Sequence, residues 1–107
     1  MSKKLIIPTI ETIIGKKTEM GSVITHALVL DGVYKIMFNH KKKSGNVMVY
    51  RNQHSNLYEA HFTYGRYTDK AQFIPKHLQT SNDVCFIVSG FMDLYENYYD
   101  KKNRNGK

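Results

Sequence analysis

Residues 23–52 read VITHALVLDGVYKIMFNHKKKSGNVMVYRN, and this stretch decides the fold. Asp31 and Gly32 stand between two runs that are rich in β-branched and aliphatic residues. That dipeptide, flanked by apolar alternation, favours a two-residue type I′ turn. A second run of the same kind follows three lysines. The stretch therefore predicts two β-hairpins end to end, with Leu30 opposite Val33 across the first turn.

The first turn sets the pairing of the strands around it, because a one-residue slip would move every side chain to the other face. The expected pairs on one face are Val29 with Tyr34, Ala27 with Ile36, and Thr25 with Phe38. The expected pairs on the other face are Leu28 with Lys35 and His26 with Met37. For the second hairpin we expect a five-residue loop, Lys41 to Gly45, with Gly45 at positive φ. That loop pairs Phe38 with Met48 and Ile36 with Tyr50, whereas a four-residue loop would pair Ile36 with Arg51.

The rest of the chain extends this sheet and then changes period. Residues 57–64 alternate as a strand whose facing depends on the preceding loop, Gly65 marks a bulge or bend, and a turn is expected near Asp69. From Ser81, apolar residues recur at helical spacing behind capping residues. Residues 2–20 fit an edge strand better than a helical turn. We predict an α+β fold, a twisted antiparallel β-meander of about four to six strands with one C-terminal amphipathic helix packed on one face.

Length and composition predict one domain. With 107 residues and 41% apolar content, residues 1–100 suit a single α+β domain, and the polar residues 101–107 suit a disordered basic tail. Cys85 is the only cysteine, which favours a reducing compartment. Neither a signal peptide nor a membrane span is expected, so the predicted location is the cytoplasm.

Charge is distributed unevenly along the chain, whose formal net charge is +7. Residues 82–100 hold four acidic side chains and no Lys or Arg, so the positive charge belongs to the remainder. A basic surface of this kind attracts an anionic partner. Apolar residues occur on both predicted faces of the sheet, and one helix covers only one face. We expect the other face to be closed by curling of the sheet into a half-open barrel, by the N-terminal segment, or by another chain, which a homodimer would supply.

Catalytic and metal-binding motifs are not found in the sequence. The five histidines lack metal-ligand spacing, and His40 and His54 fall at opposite ends of one predicted hairpin. The neighbours of Cys85, Val84 and Phe86, favour a packed, inert thiol. We therefore expect no enzyme activity, no cofactor and no metal.

Binding remains the expected function. Basic residues interleaved with tyrosines on a β surface suit single-stranded nucleic acid, since cations follow phosphates and rings stack with bases. We expect Tyr64 and Tyr67 to face outward. The candidate binding residues are Lys35, Lys41, Lys42, Lys43, Arg51, Tyr64, Arg66, Tyr67 and Lys70.

The predicted arrangement of a meander followed by one long helix is broadly similar to that of single-stranded-DNA-binding transcriptional coactivators. The similarity is one of architecture, and no motif of that family stands in this sequence. Two other functions also fit the sequence. One is an inhibitor or regulator, encoded by a virus or mobile element, that binds a larger protein. The other is a small ribonuclease toxin, which requires His61 to cluster with Arg51 or Arg66.

Overall fold

A computed structural model describes residues 13–52 and 54–105 of the chain. The strands are β1 (Val23–Leu30), β2 (Val33–His40), β3 (Lys43–Arg51), β4 (Tyr58–Tyr64) and β5 (Tyr67–Phe73). A short 3-10 helix, Pro75–His77, precedes the α-helix α1, Ser81–Asn105. The strands form one antiparallel sheet in the order β1-β2-β3-β4-β5. The predicted meander with a C-terminal helix is confirmed, whereas the predicted N-terminal strand lies mostly outside the described residues.

The first hairpin has the predicted turn. Asp31 and Gly32 both have positive φ, at 51° and 76°, as a type I′ turn requires. The pairs from Leu30 opposite Val33 back to His26 opposite Met37 are those expected. The expected pair of Thr25 with Phe38 is wrong, because a bulge shifts the register and places Ile24 opposite Phe38.

The second hairpin differs from the prediction. Its turn is only Lys41–Lys42, so Phe38 lies opposite Gly45 and Ile36 opposite Val47. Neither the five-residue nor the four-residue loop forms. Gly45 stands within β3 and is not among the glycines with positive φ. Consequently Val47 and a second valine, Val49, face the core, and the opposite face is more polar than predicted.

The last hairpin also turns earlier than expected. Tyr64 lies opposite Tyr67, so that Gly65 and Arg66 form a two-residue turn in which Gly65 has a φ of 63°. The expected turn near Asp69 is wrong, because Asp69 lies inside β5. This register places the alternating residues Tyr58, Ala60, Phe62 and Tyr64 in the buried core.

The helix α1 covers the core face of the sheet. Val84, Val88 and Met92 are fully buried, and Phe91 stacks on Phe62 with ring centroids 4.9 Å apart. Leu94 and Tyr98, predicted for the same apolar stripe, are instead about half exposed, as 51% and 48% of their surfaces remain accessible. The helix continues to Asn105, so residues 101–105 of the segment expected to be a disordered tail are helical.

The other face of the sheet is open in the described part of the chain. A row crosses four strands there, in which Lys35 pairs with Met48, Met48 with His61, and His61 with Lys70. These side chains are half-buried or exposed. We refer to this surface as the open face.

Candidate nucleic-acid interface

Two turns lie side by side at one end of the sheet. The Lys41–Lys42 turn leads into β3, and the Gly65–Arg66 turn ends β4, which pairs with β3. The register brings them so close that a Cβ added to Gly65 would lie 3.3 Å from the Nζ atom of Lys43. Four cationic side chains therefore gather at this end. We call it the basic end and define it as Lys41, Lys42, Lys43 and Arg66.

The backbone of the lysine turn is unusual for its sequence. Lys41 and Lys42 have φ angles of 50° and 66°, both in the left-handed region. A non-glycine residue there costs roughly 1–2 kcal/mol, and Asn-Gly or Asp-Gly is the preferred dipeptide for such a turn. The chain uses Asp-Gly for the same turn between β1 and β2. The lysine pair thus occupies a position that local conformational preference disfavours.

The lysine side chains are directed to solvent and to the helix side of the sheet. The Nζ atom of Lys41 lies 3.3 Å from Oε2 of Glu96, while 75% of the Lys41 side chain remains exposed. The Nζ atom of Lys43 lies 5.3 Å from the centre of the Tyr64 ring, within cation–π range. Lys42 and Arg66 are exposed.

A ladder of tyrosines stands beside the basic end. Tyr64 contacts Tyr95, Tyr95 contacts Tyr67, and Tyr67 contacts Tyr98, with ring centroids 4.8, 5.4 and 5.5 Å apart. The expectation that Tyr64 faces outward is wrong: its ring is buried, and its hydroxyl donates to the carbonyl oxygen of His40 at 2.6 Å. The ring turns inward because the β3–β4 register places it on the helix-covered face.

The remaining rings of the ladder are more accessible. Tyr67 is half-buried, and its hydroxyl donates to Asp69 at 3.0 Å. Burial, together with the nearby Asp69 carboxylate, raises the pKa of Tyr67 to about 12. Tyr98 is the most exposed, although the sequence pattern assigned it to the core stripe.

The predicted binding residues fall at three places. The lysine turn, Tyr64, Arg66 and Tyr67 come together at the basic end. Lys35 and Lys70 lie on the open face instead. Arg51 ends β3 at the opposite end of the sheet, where its guanidinium donates to Asn56 at 3.2 Å.

A buried polar chain ties the basic end to the helix. The Oγ atom of Ser22 lies 2.8 Å from Nδ1 of His40, and Nε2 of His40 lies 3.1 Å from Oε2 of Glu96. Burial alone would raise the pKa of Glu96, but hydrogen bonds from His40 and Lys41 outweigh it and leave that pKa below its usual range. Although the residue types suggest a nucleophilic triad, Ser22 has no exposed surface. We interpret this series of hydrogen bonds from Ser22 through His40 to Glu96 as structural.

A second polar cluster lies on the open face. The Tyr50 hydroxyl lies 2.7 Å from Nε2 of His61 and donates to Glu59 at 3.2 Å. Hydrogen bonds, the strongest of them from Asn52, lower the pKa of Glu59. The ribonuclease alternative requires His61 to meet Arg51 or Arg66, whereas the hydrogen-bonded neighbours of His61 are Tyr50 and Glu59. With four donors around it, Glu59 has little remaining capacity to act as a base.

The described ranges, 13–52 and 54–105, offer little support for a metal site, a membrane span or a reactive cysteine. They contain no group of three or more His, Cys, Asp or Glu residues placed to hold a metal ion. No helix in these ranges combines the length and apolar character needed to cross a membrane. Burial raises the pKa of the Cys85 thiol, an effect that the charge of Lys16 only partly opposes. A raised pKa leaves less reactive thiolate at neutral pH.

Comparison with known proteins gives no relative. A scan against models of protein families, a search of curated proteins and a search of solved structures each find no match for this chain.

Proposed function

We propose that the protein binds single-stranded nucleic acid at the basic end. The observation that supports this function best is the lysine turn, in which Lys41 and Lys42 both adopt a left-handed backbone. Residues held in sparsely populated conformations concentrate at functional sites, where the side chain is needed despite its backbone cost. Here the side chains supply two exposed cations at the tip of a hairpin.

Neighbouring groups suit a phosphate backbone with unstacked bases. Lys43 and Arg66 extend the cationic surface across the adjacent turn, and Tyr98 offers a half-exposed ring beside it. The contact between Glu96 and His40 places the helix at this end, and the helix continues to Asn105. Its last residues include Lys101, Lys102 and Arg104, which carry positive charge. Cations next to stackable rings are the usual platform for single strands.

The experiment exchanges the lysine turn for the dipeptide that the backbone prefers. In the double variant Lys41→Asn/Lys42→Gly, the loss of two phosphate contacts should weaken binding to a labelled single-stranded oligonucleotide about ten-fold. The same change relieves left-handed strain, so thermal stability should stay level or rise. Fluorescence anisotropy measures the affinity, and a thermal melt measures the stability.

The matched control removes the same charge elsewhere. Lys35→Gln/Lys70→Gln takes two lysines from the open face and should change affinity much less than the turn variant. Equal losses in the two variants would assign the binding to overall charge or to the open face. If the unmodified protein binds neither single-stranded nor duplex oligonucleotides at about 50 mM salt, the proposal is overturned, and a protein partner becomes the ligand to seek.

A further inference from the structure

The outer surface of α1 carries an apolar stripe that the sheet does not cover. Phe86 is 75% exposed and Leu94 is 51% exposed, and both lie on the side of the helix that faces the edge strand β5. Between them and the β5 residues Ala71 and Phe73 lies an apolar groove of about 170 Å³. The stripe thus combines a projecting aromatic ring with a recess.

Gly90 stands at the centre of this stripe. A glycine in a helix interior is less stable than alanine, and a Cβ added at this position would meet nothing within 4 Å in the described part of the chain. Packing among residues 13–52 and 54–105 therefore does not require a glycine here. A glycine on an exposed helix surface allows another backbone to approach closely.

The spacing of the stripe is symmetric about that glycine. Phe86 precedes Gly90 by four residues, and Leu94 follows it by four, so all three lie on one face of the helix. When two copies of the helix cross antiparallel at Gly90, each Phe86 faces the other copy's Leu94. Asp83 and Asn97, seven residues before and after, likewise face each other. The surface is self-complementary, as a two-fold interface requires.

Charge permits this pairing even though the whole chain is basic. The stripe belongs to residues 82–100, which contain no Lys or Arg. The cations beside it, Lys16 and Lys17, line a cavity with Asp83 and Phe86, and in an antiparallel crossing they lie towards the acidic Asp93 of the other copy. Each Asp83 meets an amide and not a carboxylate. The two Asp93 side chains border the stripe about 9 Å apart along the axis, a distance at which physiological salt screens them substantially.

We propose that a second copy of this chain occupies the stripe, forming a two-fold dimer through α1 with Gly90 at the crossing. A stable interface needs about 800 Å² from each partner, and a Phe side chain supplies about 150–250 Å² when fully buried. The exposed stripe provides only part of that area. The dimer is accordingly weak, with association expected between about 10 µM and 1 mM.

The test is the sedimentation of the purified protein over a concentration series. The mass should rise from 12.5 kDa towards twice that value, and high salt should not reverse the rise. Phe86→Lys alone and Leu94→Glu alone should each raise the dissociation constant at least ten-fold. Gly90→Gln, which has open space in the monomer, should do the same and leave the thermal melt of the monomer intact.

A charge-swap variant tests the register directly. In Phe86→Lys/Leu94→Glu each lysine meets a glutamate of the other copy, so association should be stronger than in either single variant, and salt should weaken it. Val29→Lys is the control, because Val29 is an exposed apolar residue on β1, away from the stripe, and its replacement should not alter the mass. Any one of four outcomes would overturn the proposal. They are a monomer at every concentration, a dimer whose dissociation constant Phe86→Lys and Gly90→Gln leave unchanged, a charge swap that fails to restore association, and loss of the dimer in the control.

Discussion

Gly45 lies in a strand where its small size is needed, because the Phe38 ring covers it. A Cβ at position 45 would overlap that ring and lie 2.9 Å from the carbonyl oxygen of Thr63. Gly45→Ala should therefore destabilise the protein by about 1–3 kcal/mol through overpacking. Urea denaturation measures the loss. Ser44→Ala, at the exposed neighbour, should stay within about 0.5 kcal/mol, and similar midpoints for the two variants would contradict the prediction.

The contacts of Glu96 predict a loss of stability in acid. Its pKa in the folded state lies below the ordinary value of 4.5, so its ionised form favours folding above that pH. This stabilisation is lost as pH falls through the lower folded pKa. Glu96→Gln should therefore lower the melting temperature at neutral pH and show a smaller further loss between about pH 5 and 3 than the unmodified protein. Parallel melting curves across that range would refute the role of Glu96.

The N-terminus of α1 is held by a reciprocal cap. The backbone N–H of Asp83 donates to the Thr80 hydroxyl at 3.1 Å, and the backbone N–H groups of Gln79 and Thr80 donate to the Asp83 carboxylate at 3.0 Å. Thr80→Ala should cost about 1 kcal/mol of stability, as measured by the denaturation midpoint. Gln79→Ala keeps the backbone donor and serves as the control. A cap that contributes nothing would leave both variants alike.

Turn chemistry explains which elements were predictable from the sequence. Asp31-Gly32 prefers the left-handed conformation that its turn needs, so the first hairpin and most of its register followed. Lys41-Lys42 adopts the same conformation against its preference, and the sequence therefore pointed to a longer loop. That error moved Val47 and Val49 to the wrong face. The helix was recognisable because its apolar period extends over several turns.

The candidate site depends on the whole molecule and was only partly predictable. The three lysines adjoin in sequence, but their proximity to Arg66 follows from the pairing of β3 with β4. Tyr98 was missed as an accessible ring because its spacing matches the core stripe. Its ring packs against Tyr67 in the structure, and 48% of its surface remains exposed.

Salt dependence should distinguish the basic end from the rest of the molecular surface. Four phosphate contacts on a single strand predict a slope of about −3 for log K against log salt. Lys41→Asn/Lys42→Gly should reduce the slope by about one to two units, whereas Lys35→Gln/Lys70→Gln should leave it nearly unchanged. Anisotropy titrations between about 50 and 200 mM salt measure the slope. An unaltered slope in the turn variant would exclude the lysine turn from phosphate contact.

The strand order of the sheet, which equals the order of the strands along the chain, bears on how the protein folds. Three of the four strand pairings close across two-residue turns and the fourth across a short loop, so little loop-closure entropy opposes the growth of the sheet. The long-range step is the docking of α1, in which His40 must find Glu96 across 56 positions of chain. We expect the hairpins to assemble first and the helix to close over them late, so that substitutions in α1 mainly accelerate unfolding and leave the folding rate nearly unchanged.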